Sequence, residues 1–361
     1  MKKHMNIPIF VPHNGCPHDC IFCNQKKITG NNASFNERQV REEIEAYLST
    51  SKGVAHIEIA FFGGSFTGIP IEEQRSYLEL ATEYIHKYNL DGIRLSTRPD
   101  MITKEILDFL SHYPVIGIEL GVQSMSNEVL QASRRGHTAD DVIKACKLIR
   151  SYPIDLGLQM MLGLPKDTVA LSLYTADQII GLEPDMVRIY PTLVIQDTEL
   201  ASLYQQDLYT PWNLDTTIDL CLEILPRFES AGIKILRIGL QTTQDIQMGK
   251  DVIAGPFHPA LRQLIDEKRL VNYILDFVSD SKAPICIEAN SKLYQALIGH
   301  KKRHLMIWSE HEPAISIQQN SDLPKHILKI GNTYHNSHSL TTLYETRQHS
   351  RYMYALNLIS N

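Results

Sequence analysis

No apolar run in the sequence approaches membrane-spanning length, and the first residues, MKKHMNIPIF, lack the apolar centre of a signal peptide. Both absences point to the cytoplasm and away from a membrane. Basic charge is not in excess either: 35 Lys and Arg stand against 41 Asp and Glu, a formal net charge of -6. That excludes a generally basic coat for nucleic acid but leaves room for a local patch, for which Lys26-Lys27 and Lys301-Lys302-Arg303-His304 are the candidates. Repeats, linkers and low-complexity tracts are missing, so composition marks no clean domain boundary. Cysteine is sparse, six in 361 residues, and nothing suggests an oxidising compartment in which the six would pair.

What is present is a globular composition, 43% hydrophobic and 21% charged, sufficient for a buried core. Runs at 7–12, 56–62, 92–97, 115–122, 155–162 and 186–192 read as buried strands. Amphipathic segments at 35–49, 71–87, 103–112, 126–150 (broken near Gly136) and 168–181 alternate with them. Asn36, Thr103 and Thr138 stand where helices should start. Six β-then-α units without hairpin signals predict parallel strands joined by right-handed crossovers. Six is fewer than the eight of a closed barrel, so the expected fold is α/β, a partial (β/α)6 TIM-like barrel.

Beyond residue 193 the alternation weakens. Helices are expected at 197–206, 214–231, 259–280 and 291–300, and a strand at 233–240. PICIEA, LMIWSE and AISIQQ read as short strands. The expected organisation is a barrel core over 1–195, a core-completing extension over 196–280 and a small α+β region over 281–361.

The placement of the cysteines carries the chemistry. Cys146 and Cys221 lie in helical apolar patterns and Cys286 in PICIE, and all three read as buried small hydrophobes. Cys16, Cys20 and Cys23 crowd into a C-x3-C-x2-C loop directly after the first strand. Three local thiolates on an iron–sulfur cluster leave one iron for a substrate or cofactor, since such clusters usually take four. A structural zinc site is the alternative, with His13 or His18 as fourth ligand.

Other polar and glycine positions converge on the same end of the barrel. Phe61-Phe62-Gly63-Gly64-Ser65-Phe66 ends the second strand, Ser96-Thr97-Arg98-Pro99-Asp100 the third, and Gly121-Val122-Gln123-Ser124 the fourth. Gln159 and Arg188 lie in the fifth and sixth. Polar side chains in buried strands need partners, and barrel-like folds build ligand sites at C-terminal strand ends. Arg134-Arg135-Gly136-His137-Thr138 breaks the following helix, and Arg135 is placed to meet an anion.

With these residues in hand, the chain resembles the radical S-adenosylmethionine superfamily, and within it proteins related to the Elongator catalytic subunit. The strings are CPHDCIFCNQKKITG, FFGGSF, STRPD, ELGVQS, RRGHT, MLGLP and RIYPTLVIQDTEL, in family order between about residues 6 and 270. The resemblance implies a [4Fe–4S] cluster on Cys16, Cys20 and Cys23, with S-adenosylmethionine chelated to the open iron. It implies Phe22 near the adenine, Gly63 and Gly64 along the methionine amino group, and Arg135 at the cofactor carboxylate. By comparison with oxygen-independent coproporphyrinogen oxidases it implies Gln123 at the reacting end, as the catalytic candidate, and Gln159 near the ribose. Ser96 and Arg188 complete the cofactor-binding set, and Ser96 stands where relatives often carry Glu. The resemblance also implies flavodoxin or ferredoxin as reductant, and tRNA as a candidate partner through wobble-uridine modification. Fewer than a hundred residues follow 270, so the acetyltransferase-like domain of the Elongator subunit is expected to be absent. Two alternatives remain at this point: the same radical chemistry on a small molecule or protein side chain, and a metal-stabilised RNA-binding protein with no activity.

Overall fold

A computed structural model describes residues 4–11, 16–24, 35–240 and 247–337. The strands are β1 His4–Val11, β2 His56–Gly63, β3 Gly92–Thr97, β4 Val115–Gln123, β5 Asp155–Leu162, β6 Met186–Pro191, β7 Val194–Ile195, β8 Lys234–Ile238, β9 Val252–Ala254, β10 Ile285–Ala289, β11 Ile315–Gln319, β12 Ile327–Ile330 and β13 Thr333–Asn336. The α-helices are α1 Glu37–Ser49, α2 Ile71–Tyr88, α3 Lys104–Leu110, α4 Asn127–Ala132, α5 Ala139–Ile149, α6 Val169–Gly181, α7 Glu199–Gln205, α8 Leu214–Ser230, α9 Leu261–Val278, α10 Ser291–Ile298 and α11 Leu305–Glu310. The chain divides into two compact units. Within the described residues, the first holds everything up to Thr217 together with Ile233–Pro259, and the second holds Ile218–Gly232 and the chain from Ala260.

Local chemistry sets the alternation in the first unit. Asn36, Thr103 and Thr138 each cap a helix, accepting from the amides of Gln39, Ile106 and Asp141. Thr138 and Asp141 form a reciprocal capping box, which starts α5 two residues after the Gly136 break. Strand residues such as Ile59, Phe61, Ile93, Leu95, Ile118, Leu120, Leu158 and Ile189 are almost fully buried, as expected for strands covered on both faces. Each such side chain contributes about 1.5–3 kcal/mol on burial.

The strands form one seven-stranded sheet in the order β1-β2-β3-β4-β5-β6-β8, parallel at every pairing. The run at 233–240 is therefore a seventh strand of the core sheet. β1 and β8 stand at opposite ends of that order, so the barrel is partial and open. Because the strands are parallel, all their C-terminal ends share one rim. A buried ion pair lies toward the other end: Arg94 donates to Glu58 at 2.7 and 3.1 Å.

The second unit is α+β. Its sheet, in the order β11-β10-β12-β13, buries Ile287, Leu328 and Ile330 in a core with Leu297 and Trp308. LMIWSE, expected as a strand, is the helix α11 instead. Trp308 is buried and its indole donates to the Leu297 carbonyl, while Leu305 and Met306 are exposed. One buried residue in a turn suits a short helix better than a strand, and periodicity over six residues does not separate the two. The β12–β13 hairpin carries no strong apolar pattern and was not foreseen. Cys286 is half-buried rather than fully buried, whereas Cys146 and Cys221 are buried as expected.

Candidate active site

A cavity of about 170 Å³ opens at the C-terminal rim of the sheet. Cys16, Cys20 and Cys23 all line it, together with Phe22, Gly63, Gly64, Ser96, Gln123, Arg135 and Gln159. Every residue of the expected metal and cofactor set is thus present except Arg188. That side chain is not among the lining residues. It is held one step behind the wall by Glu119, through bonds of 2.5 and 3.0 Å, and lies over the Phe62 ring.

The cysteine loop is tied down on both sides. The Cys23 amide donates to the Cys20 carbonyl at 3.0 Å, closing a tight turn between two residues that both line the cavity. Ile21 donates to the Ser133 carbonyl and its own carbonyl accepts from Leu200, while Phe22 packs on the cluster of Ile21, Val194, Leu200 and Tyr209. The Gly-Gly turn is pinned by hydroxyls: Ser65 to Thr97 at 2.7 Å, and Thr97 to Thr67 at 2.6 Å. The Arg98 amide donates to Ser65 Oγ, joining the ends of β2 and β3.

Gln123 sits in the left-handed region at φ 67°, where the β4–β5 register shifts between Gly121 and Gln123. This bulge turns the side chain out of the ladder and toward the cavity. Arg135 crosses from the α4–α5 connection, donating to the Gly121 carbonyl at 2.7 Å and reaching Cys20 Sγ at 3.4 Å. A Cβ at residue 121 would lie 2.6 Å from Arg135 Nη2, so glycine there makes this approach possible. Arg134, by contrast, is exposed and paired with Glu199.

Three buried polar atoms on lining residues have no protein partner: Gln123 Oε1, Arg135 Nε and Arg98 Nη1. Buried polar atoms are ordinarily paired, so orphans converging on one cavity mark a polar ligand. Arg98 and Arg135 stand in the lining with Asp19, and Arg98 is itself paired with Asp100. Burial raises the Cys16 thiol pKa, opposed by the Ser65 amide and the Arg135 and Arg98 charges. Burial and the same two guanidiniums push the His137 pKa down to about 3, so the ring is neutral. Its Nε2 lies 3.2 Å from the Val122 carbonyl, consistent with donation there.

The donor set fits a [4Fe–4S] cluster and S-adenosylmethionine. Three thiols share a cavity that also offers orphaned guanidinium and amide groups and two glycines. Among the described residues no three His, Cys, Asp or Glu side chains meet closely enough to hold one metal ion. A cubane does not ask for that, since each thiolate binds a different iron, whereas a single zinc ion does. Of the zinc candidates, His18 lines the cavity and His13 lies outside the described residues, as do Lys26 and Lys27.

One acidic residue escaped the sequence reading. Glu119, fully buried in β4, accepts from both Arg188 and Gln159. The signal was available in the string ELGVQS: a carboxylate inside an otherwise apolar strand requires a buried cation, and Arg188 was two strands away.

The profile of the Radical SAM superfamily matches residues 10–171, and that of the Radical SAM C-terminal domain matches residues 184–270. An uncharacterized protein of Methanocaldococcus jannaschii is 31% identical over 62% of this chain and 72% of its own length. The tRNA uridine(34) acetyltransferase of Methanocaldococcus infernus is 26% identical over 56% of this chain. The chain covers only 46% of that acetyltransferase, and 37% of the Elongator complex protein 3 of Dictyostelium discoideum, to which it is 26% identical over 52% of its own length. The archaeal Methanocaldococcus infernus Elp3 with an N-terminal deletion shares the fold, with a TM-score of 0.59 and 22% identity over 75% of this chain and 64% of that one.

Proposed function

We propose, since the chain belongs to the radical S-adenosylmethionine superfamily and to its Elongator-like branch, that it uses its iron–sulfur cluster to modify a uridine of tRNA. Membership makes it an iron–sulfur enzyme that binds S-adenosylmethionine. The finer steps are our reading. When bound, the cluster would supply one electron for reductive cleavage of the cofactor, the source of radical chemistry that would remove a hydrogen atom from the substrate.

The chain's own residues hold and shield this chemistry. Cys16, Cys20 and Cys23 bind iron and lose their thiol protons in doing so, against the burial that keeps Cys16 protonated. Arg135 offers a guanidinium to the cofactor carboxylate, and Gly63 and Gly64 let backbone approach its amino group. Phe22 would cover the adenine side, and Gln123, whose amide oxygen is buried without a partner, would face the reacting end. Gln159 and Ser96 would line the ribose side, and Arg188 is joined to Gln159 through Glu119. The single observation that carries the reading is the convergence of three thiols and three orphaned polar atoms on one cavity.

A one-electron donor is required, and a flavodoxin or ferredoxin in the cytoplasm supplies it. Among the described residues no helix is long and apolar enough to cross a membrane. The tRNA assignment rests on relatives named as tRNA uridine(34) acetyltransferases, of which this chain spans about half. Nucleoside mass spectrometry of total tRNA from cells with and without the gene tests it. Loss of a modified wobble uridine is expected. An identical profile under conditions of expression removes tRNA and leaves the same chemistry on a small molecule or protein side chain, which the net charge of -6 favours.

A further inference from the structure

We infer that Glu119 is a positioning residue: clamped by Arg188, it turns the Gln159 amide so that an acceptor faces the cavity, and the cofactor group seated against Gln159 is a hydroxyl donor. The inference deepens the cofactor reading above and rests on it.

The geometry begins with register. Ser96 of β3 pairs with Glu119 of β4, Gly121 of β4 with Gln159 of β5, and Gln159 with Arg188 of β6. Glu119 itself pairs with Gly157, so its side chain reaches Gln159 and Arg188 diagonally across the strands, and of the four polar side chains only Ser96 and Gln159 line the cavity. Glu119 Oε2 lies 2.5 Å from Arg188 Nε and Oε1 lies 3.0 Å from Arg188 Nη2, a two-point clamp between planar groups. Burial opposes the Arg188 charge and the Glu119 carboxylate outweighs it, raising the guanidinium pKa. The pair is thus a fixed object, with Glu119 fully buried.

Gln159 reads that object. Its Nε2 donates to Glu119 Oε2 at 3.0 Å, with Ser96 Oγ a longer second acceptor at 3.4 Å. An amide can rotate by half a turn at little intrinsic cost, so its surroundings decide which end points where. Here the reversed orientation would set the amide oxygen against a carboxylate oxygen, two acceptors with no proton between them. The amide nitrogen must face Glu119. The oxygen is then the end presented to the cavity that Gln159 lines. A glutamine is nominally a donor and an acceptor, but in this setting it offers an acceptor alone. The ligand group opposite must donate, and the ribose hydroxyls of S-adenosylmethionine are the donors the resemblance places there.

The test measures binding rather than turnover. Cluster-loaded protein is titrated anaerobically, by calorimetry, with S-adenosylmethionine and with its 2′-deoxy and 3′-deoxy analogues. Wild type should bind one deoxy analogue about three- to tenfold more weakly than the parent, the scale of one hydrogen bond. Glu119→Gln alone leaves the Arg188 charge buried without its partner and can fail to fold. The double change Glu119→Gln with Arg188→Met removes both charges and keeps the volume. In that variant, matched to wild type by circular dichroism, the amide is released and the discrimination should shrink to under about twofold, as it should in Gln159→Ala. A purely structural role for the pair would lower affinity for all three ligands alike. Discrimination retained in the double variant, or absent in wild type, overturns the inference while leaving the cofactor reading intact. Failure of wild type to bind S-adenosylmethionine overturns both.

Discussion

Arg135 Nη1 lies 3.4 Å from Cys20 Sγ while Nη2 donates to the Gly121 carbonyl, so one guanidinium joins the cysteine loop to the end of β4. The loop follows β1 and the arginine follows α4, and the two segments also meet where the Ile21 amide donates to the Ser133 carbonyl. That guanidinium keeps its Nε for a further acceptor.

The three thiols should act as a unit. Anaerobic reconstitution should give about four irons per chain, and Ala at any one of Cys16, Cys20 or Cys23 should abolish reductive cleavage of S-adenosylmethionine. Ala at Cys146 or Cys221, buried within helices, should leave the iron content unchanged. Iron and sulfide analysis with a cleavage assay checks this. Full cleavage in all three loop variants, or stoichiometric zinc in protein purified without added metal, contradicts it.

Arg135 should contribute to cofactor affinity, and its placement should matter as much as its charge. Arg135→Ala should weaken S-adenosylmethionine binding by about 1.5–3 kcal/mol, as for a hydrogen bond to a charged group. Gly121→Ala removes no ligand group, but its Cβ would press on Arg135 Nη2 from 2.6 Å. A smaller loss of affinity in the same direction is expected. Calorimetry on both variants decides it, and unchanged affinity in both would show that Arg135 does not meet the cofactor.

The barrel and most of its rim were legible in the sequence because their signals are local. The strands are short apolar runs, the helix starts are Asn or Thr at the right phase, and the C-x3-C-x2-C loop declares itself by spacing. Arg188 and Glu119 show where local reading stops. Arg188 was assigned to the cofactor because it is a cation in a buried strand. Its partner is set by register across two strand pairings, which no single segment encodes. The LMIWSE helix failed for the opposite reason, since six residues hold too little periodicity to choose between helix and strand. The register shift that carries Gln123 to a positive φ has no marker residue either, because glutamine rather than glycine stands there.

The Glu58–Arg94 pair should govern part of the acid stability, away from the rim. Burial raises the Glu58 pKa, but the hydrogen bonds and charge of Arg94 outweigh it, and the net shift is downward from 4.5. A carboxylate with a depressed folded pKa adds stability that is complete above its unfolded value and fades as pH falls through the folded one. The contribution should therefore hold above about pH 4.5 and disappear below it. Glu58→Gln, which strands Arg94, should cost about 3–5 kcal/mol at pH 7. Urea unfolding of both proteins at pH 7 and pH 4 measures this, and a gap that does not narrow on acidification would remove the assignment.

Gly136 has φ 80°, and a Cβ built there would lie 2.3 Å from the His18 ring, so the arginine turn and the cysteine loop share a single space. These two positions, more than a hundred residues apart, are expected to constrain one another. A side chain placed at 136 would have to displace the His18 ring or shrink it, and through it press on the loop that carries the cysteines. Residues 18 and 136 should drift together or not at all.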